Sequence, residues 1–312
     1  MIFFHNNLVK NKVFLSIVIP TFNQIENVGN LCKSIFEKKN DEIEVIIVDD
    51  GSKISFQKIV DKYPIKYFKI KNSGPSYARN YGAKQSKGKY LLFLDSDVLI
   101  STSMIMKIID FQKKEKKKIL SIFYSDYTVK KNISHKYKAY LDYYFNRYNK
   151  KSGYVNSLHG SSCVFQKEIF LKLGGWNEDF KGATLENEEF ANRILRFYND
   201  KIYFNSELHV HHNYANFNIL LKNIFLRSIL WIQLKLSNKV NYDGLVRTRL
   251  TGLITIQSFF MLLFLPLINL NENFIFPLII NILIYLLGNI GFYKYLFKRE
   301  NIFIFLKLIL FN

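Results

Sequence analysis

Cysteine is nearly missing from this chain: Cys32 and Cys163 are the only two among 312 residues. They lie far apart and lack metal-ligand neighbours, which excludes a disulfide scaffold and a zinc module and predicts two buried, reduced thiols in a cytosolic compartment. Phosphate-loop signatures are absent too. No Gly-x-Gly-x-x-Gly follows the first apolar run and no Gly-Lys-Ser occurs, which argues against dinucleotide-binding and P-loop readings. Met1-Ile2-Phe3-Phe4-His5 has no basic head before a long apolar core, so no cleaved leader is expected. There is no internal repeat. Negative charge is in short supply: 25 Asp and Glu face 44 Lys and Arg, for a net charge of +19. That balance calls for a polyanion nearby, whether nucleic acid, an anionic membrane surface or a phosphorylated substrate.

What is present is organised around Lys89-Tyr90-Leu91-Leu92-Phe93-Leu94-Asp95-Ser96-Asp97. The apolar run is too short for a membrane span and too continuous for a half-exposed strand, so it predicts a buried strand of a parallel sheet. Ligands of open α/β sheets bind at the carboxyl ends of strands. Two carboxylates released there suit a divalent cation carrying a phosphate, and a capped loop is the bland alternative. Before this stretch, strands are predicted at 13–20, 44–48 and 65–70. Helices are predicted at 25–39, with Asn23 as N-cap, at 56–63 and at 77–85. Asp49 and Asp50 close the second strand as Asp95 and Asp97 close the fourth. The alternation predicts an α/β, doubly wound, mostly parallel sheet with an acidic ligand edge.

Later segments are a helix at 103–118 ending in a lysine cluster, a strand at 120–127, a Tyr-rich helix at 136–148, and a Gly-led strand at 159–165. After the loop Gly174-Gly175-Trp176, Glu186, Glu189 and Arg193 fall on one helix face. A short strand at 202–205 precedes His209, His211 and His212, a cluster able to supply a cation ligand or a phosphate contact.

Five blocks in order resemble family 2 glycosyltransferases of the GT-A fold. They are Ser16-Ile17-Val18-Ile19-Pro20-Thr21-Phe22-Asn23, Val45-Ile46-Ile47-Val48-Asp49-Asp50-Gly51-Ser52, Gly74-Pro75-Ser76-Tyr77-Ala78-Arg79-Asn80-Tyr81-Gly82, the run from Gly88 to Asp97, and Gly174-Gly175-Trp176-Asn177-Glu178 with the 186–193 helix. The resemblance covers residues 14–213. It implies transfer from a nucleoside-diphosphate sugar of UDP or dTDP type. Pro20, Thr21, Asp49 and Asp50 would lie at the nucleoside, with Asn72, Gly74, Arg79, Asp95 and Ser96 near the donor. Asp97, Asp95 and His211, or His212 in its place, would meet Mg²⁺ or Mn²⁺. One departure stands out: where the family commonly has Glu-Asp, this chain has Glu186-Asn187. Asn is no general base, so Glu186 or Glu188 takes that role, or the mechanism differs. Polypeptide N-acetylgalactosaminyltransferases, which are similar here, also carry Glu-Asn and retain configuration, whereas the whole motif set implies inversion.

The C-terminal third reads as membrane-associated. Residues 216–250 hold a basic amphipathic segment suited to an interface. Apolar runs at 253–270 and 274–292, within 251–293, predict a transmembrane hairpin, and 294–312 an interfacial tail. Arg247 and Arg249 precede the first run, and Lys294, Lys298 and Arg299 follow the second. Both ends are therefore predicted cytoplasmic, with the 1–215 catalytic domain on that side of the cell membrane. The expected partners are donor, a glycan or lipid-linked acceptor and membrane lipid. Nucleic acid is not expected, since the aromatics form no stacking platform. A non-catalytic sugar-nucleotide-binding subunit, which Asn187 favours, and a nucleotidyltransferase on a related fold are the competing readings.

Overall fold

The structure, a computed structural model, describes residues 13–128, 132–180, 185–197, 202–214 and 266–311. The predicted interfacial segment at 216–250 and the first apolar run as far as 265 lie outside them. Four strands, β1 (Leu15–Thr21), β2 (Ile43–Asp49), β3 (Ile65–Lys69) and β4 (Tyr90–Leu94), run parallel in the order β3-β2-β1-β4. Every residue of β1 and β4 is buried. In β4 Tyr90, Leu92 and Leu94 join one core while Leu91 and Phe93 join another. Burial on both faces explains why these strands read as unbroken apolar runs.

Helix α1 (Ile25–Ile35) buries Val28, Leu31, Cys32 and Ile35, the spacing of one helical face. It stops short of the predicted 39. Asn23 is not its cap: the residue is left-handed (φ 55°), its amide accepts from the Lys53 N–H at 2.9 Å, and Gln24 occupies the cap position. α2 (Gln57–Lys62) and α3 (Pro75–Gln85) follow as predicted. Beyond β4 come a two-residue β5 (Val98–Leu99), α4 (Thr102–Glu115), β6 (Ile119–Tyr124), α5 (Ile133–Asn146), β7 (Gly153–Val155), β8 (Ser162–Gln166), α6 (Lys167–Lys172), α7 (Glu186–Phe197) and β9 (Ile202–His212). The sheet continues β4-β8-β6-β9-β5, with β7 also on β9. β8 runs antiparallel to both neighbours while β6 and β9 are parallel, so the sheet is mixed.

β9 is more than twice its predicted length, and the histidines lie within it. Its partner β6 slips register between Ser121 and Phe123, which lets the long strand follow the sheet. The C-terminal described segment forms α8 (Ile275–Gly288), α9 (Ile290–Arg299) and α10 (Ile302–Phe311). Among the described residues no single helix is long and apolar enough to cross a membrane. The stretch Glu272–Gly288 and α9 pass that test only as a pair bent by 58°. The second predicted span is thus a broken helix, interrupted at Asn289.

Candidate functional site

Chain order reverses between β1 and β4: from β1 the chain moves outward through β2 and β3, then returns to β1's other edge. Such a switch point leaves a crevice at the strand carboxyl ends. A cavity of about 190 Å³ sits there, lined by Pro20, Thr21, Asp50, Arg79, Asp95 and Asp97 among others. Ser96 and Asp97 also wall a second cavity of about 410 Å³, whose far side is formed by Asn27, Asn30 and Lys33 of α1.

Asp49 is fully buried and lines neither cavity. Its carboxylate accepts from the Ser52 N–H at 2.8 Å and the Tyr67 hydroxyl at 2.6 Å, so it braces the loop. Asp50 lines the cavity and accepts from the backbone N–H groups of Ser73 at 2.7 Å and Gly74 at 2.9 Å. Gly74, left-handed at φ 97°, thereby opens α3 against the cleft. Asn72 is exposed; neither it nor Gly74 lines the cavity.

Arg79, only 2% exposed, projects from α3. It donates to Asp95 at 2.7 Å, meets Glu186 at 3.5 Å, and lies over the Trp176 ring at 5.1 Å. Burial opposes its charge, but Asp95 and then Glu186 outweigh that and raise its pKa. Trp176 is held by Asn80, whose amide accepts from the Trp176 N–H at 3.0 Å and donates to its carbonyl at 2.8 Å. The preceding Gly175 has φ 68°, and a Cβ there would meet the Asn80 amide at 2.3 Å. The Gly-Gly-Trp block is therefore a positioning loop. The Trp176 indole N–H donates to Asn187 at 3.2 Å, and the Asn187 side chain abuts Gly160. So Asn187 is a structural residue here, and Glu186 is the one turned to Arg79. Glu188 is half-buried in the same turn. Neither glutamate lines the cavity itself.

The histidine nearest the aspartates is His212, not His211. The β5–β9 ladder pairs His212 with Val98 and His211 with Leu99, and successive residues face opposite ways. His212 Nε2 stands 3.5 Å from Asp97, its ring packed on Tyr124 and Tyr214. His211 instead meets the Ser125 hydroxyl at 2.5 Å and the Tyr127 ring, and burial lowers its pKa to about 4. Reading β9 as one strand through 212 exposes the signal, because His212 shares the face of buried Leu208 and Val210. The side chain of Asp97 keeps 41% of its surface. Desolvation within the cleft raises its pKa; His212 pulls it down and Asp95 adds to the rise.

Among the described residues no three His, Cys, Asp or Glu side chains stand together as a ready metal cage. The charge inventory nevertheless fits a hard dication. Asp50, Asp95 and Asp97 line the cavity with Arg79, which Asp95 and buried Glu186 already engage, and an anionic diphosphate entering that crevice needs positive charge that Arg79 alone does not supply. Hard cations completed by substrate phosphates commonly take only one or two protein carboxylates. Asp97, with Asp95 beside it, fits that share.

With this geometry in view, the chain matches the model of glycosyl transferase family 2 over residues 16–174. It belongs to that family. Among its relatives, the minor teichoic acid biosynthesis protein GgaA of Bacillus subtilis is 33% identical over 62% of this chain and 43% of its own length. The cholesterol galactosyltransferase of Borreliella burgdorferi is 25% identical over 54% of this chain and 48% of its own. The chain thus spans less than half of either. The crystal structure of S. aureus TarS 1–349 in complex with UDP-GlcNAc superposes with a TM-score of 0.54 at 20% identity, over 65% of this chain and 59% of that one. Such a likeness establishes the fold, the GT-A arrangement of this family 2 domain.

Proposed function

We propose that the chain transfers a sugar from a nucleoside-diphosphate donor of UDP or dTDP type to a hydroxyl of a lipid-linked or growing glycan, at the cytoplasmic face of the cell membrane. The observation that carries this reading is Asp95-Ser96-Asp97 at the topological switch point, opening into the cavity that Pro20, Thr21, Asp50 and Arg79 also line. Relatives named for teichoic acid biosynthesis and for galactosyl transfer support the substrate class. Pro20, Thr21 and Asp50 bound the nucleoside end. Asp97 and Asp95, with His212 beside them, would hold Mg²⁺ or Mn²⁺, which when bound neutralises charge on the leaving diphosphate.

The chain's own residues do the positioning. Arg79 fixes Asp95 and Glu186 relative to each other, and Asp50 clamps the Ser73–Gly74 turn that shapes the donor side. We assign Glu186 as the carboxylate that takes the acceptor proton, because it touches the cleft wall through Arg79; Glu188 is the second candidate. Inversion follows if that carboxylate acts as base. The test uses the full chain, a panel of nucleotide sugars, and isolated membranes as acceptor. Asp97→Asn is expected to cut nucleoside-diphosphate release at least a hundredfold and to weaken Mn²⁺ binding by calorimetry. Unchanged turnover would remove the metal assignment, and release of pyrophosphate would show a nucleotidyltransferase instead.

A further inference from the structure

Most large apolar side chains that stand exposed among the described residues belong to the C-terminal helices. Phe276, Ile280, Leu283 and Leu287 are 65%, 56%, 53% and 66% exposed. Their spacing of three and four puts them on one side of α8, a helix without a single charge. On α10 Ile302, Phe303 and Leu306 are 48%, 76% and 53% exposed.

The charge beside this face is positive. Lys294, Lys298 and Lys307 are exposed. Of the nearby acids Glu272 is exposed just before α8, and the other two are engaged within the fold. Glu300 accepts from Lys136 and Tyr140, both at 2.6 Å. Asp126 pairs with Arg299 and accepts from the Tyr295 hydroxyl at 3.0 Å. An apolar stripe rimmed by unspent lysines matches an acidic lipid surface.

Length decides how the bilayer is engaged. The 14 residues of α8 reach about 21 Å, short of the roughly 30 Å hydrocarbon core. α9 cannot supply the difference. Its Phe292, Tyr295 and Leu296 are buried against Tyr137, Tyr140, Tyr143 and Tyr144 of α5, which belongs to the α/β domain. The same α9 is tied by Tyr295 and Arg299 to Asp126, directly after Ser125, which holds His211, and two residues after Tyr124, which packs on His212.

We propose that α8 and α10 lie in one leaflet of an anionic bilayer without crossing it, and that α9 is the strap fixing the Asp97–His212 end of the cleft to that seat. This rests on the membrane attachment in the proposed function but not on sugar transfer, and it replaces a second crossing at 274–292 with an in-plane seat.

The test uses full-length protein. Cys32 and Cys163 are both fully buried, so a reporter cysteine is read against a silent background. Asn273→Cys and Lys307→Cys should react with a membrane-impermeant maleimide in inverted membrane vesicles and not in intact cells. Reaction of Asn273→Cys in intact cells, or in neither preparation, would overturn the proposal. Purified protein should float with phosphatidylglycerol vesicles and at least tenfold less with phosphatidylcholine ones. Phe276→Ser with Leu287→Ser should lower that flotation tenfold while leaving Mn²⁺-dependent UDP binding intact. Flotation unmoved by the double change, or absent from both vesicle types, would mean that something other than lipid covers this face. Loss of UDP binding in the unaltered protein would instead count against the sugar-transfer reading alone.

Discussion

Arg79 is asked to satisfy two carboxylates from a position almost sealed from water, at 2.7 Å to Asp95 and 3.5 Å to Glu186. Replacing it with methionine keeps much of the stem's packing on Trp176 and strands the two acids. Removing one partner of a buried ion pair typically costs about 3–5 kcal/mol, and that loss is expected in urea unfolding of Arg79→Met. Adding Glu186→Gln should return part of it, a coupling that a double-mutant cycle measures. His159 gives a second residue-scale expectation. Its ring is enclosed by Phe123 and Tyr124, and burial lowers its pKa to about 4. An unfolded histidine titrates near about 6.5. Between those values the unfolded chain binds a proton that the native state refuses, so stability falls as pH drops through that window and levels off below it. His211 shifts the same way. In His159→Gln the slope of the urea midpoint against pH should be visibly shallower.

At the scale of elements, α3 is pressed onto the sheet through Gly82. A Cβ there would lie 2.4 Å from a methyl of Val18 and 3.2 Å from one of Val48. Both are stiff β-branched chains in buried strands, so neither yields readily. Gly82→Ala is expected to cost about 1–3 kcal/mol of stability, and to weaken UDP binding by moving Arg79, both readable in one thermal-shift series with and without ligand. The alternation that places α3 was legible from residue types, because strands buried on both faces write themselves as apolar runs and release their acids where the chain turns. The order of β8 between β4 and β6 was not, since a five-residue apolar strand carries no mark of which neighbour it takes or in which direction. The length of β9 was hidden by polar Asn205, Ser206 and Glu207 in its middle, and that concealment left His211 and His212 as open alternatives with His211 placed first. Likewise Asn187 read as a damaged base; only the fold shows its amide oxygen accepting the indole N–H of Trp176, eleven positions earlier.

For the whole molecule, the join between the α/β domain and the C-terminal helices is a largely aromatic cluster flanked by the Lys136–Glu300 and Arg299–Asp126 pairs. Phe292 is 1% and Tyr295 4% exposed, and a buried Phe→Ala change costs about 3–5 kcal/mol. Phe292→Ala should therefore speed hydrogen exchange across α8, α9 and α10 while β1, β2 and β4 keep their protection, because Phe292 belongs to the cluster that seats those helices on α5 and the strands belong to other cores. Nothing in the tyrosine spacing of α5 names a partner that far along the chain. Similar delay governs the sheet itself. β4 leaves the ribosome with one flank bare, and the strand that covers it is not made until α4, β6 and α5 have been synthesised. An apolar strand with an open edge is adhesive. A nascent chain paused before Ser162 therefore displays the Asp95–Asp97 stretch on a sticky, half-built surface, which makes the speed of translation through that interval a hazard in its own right.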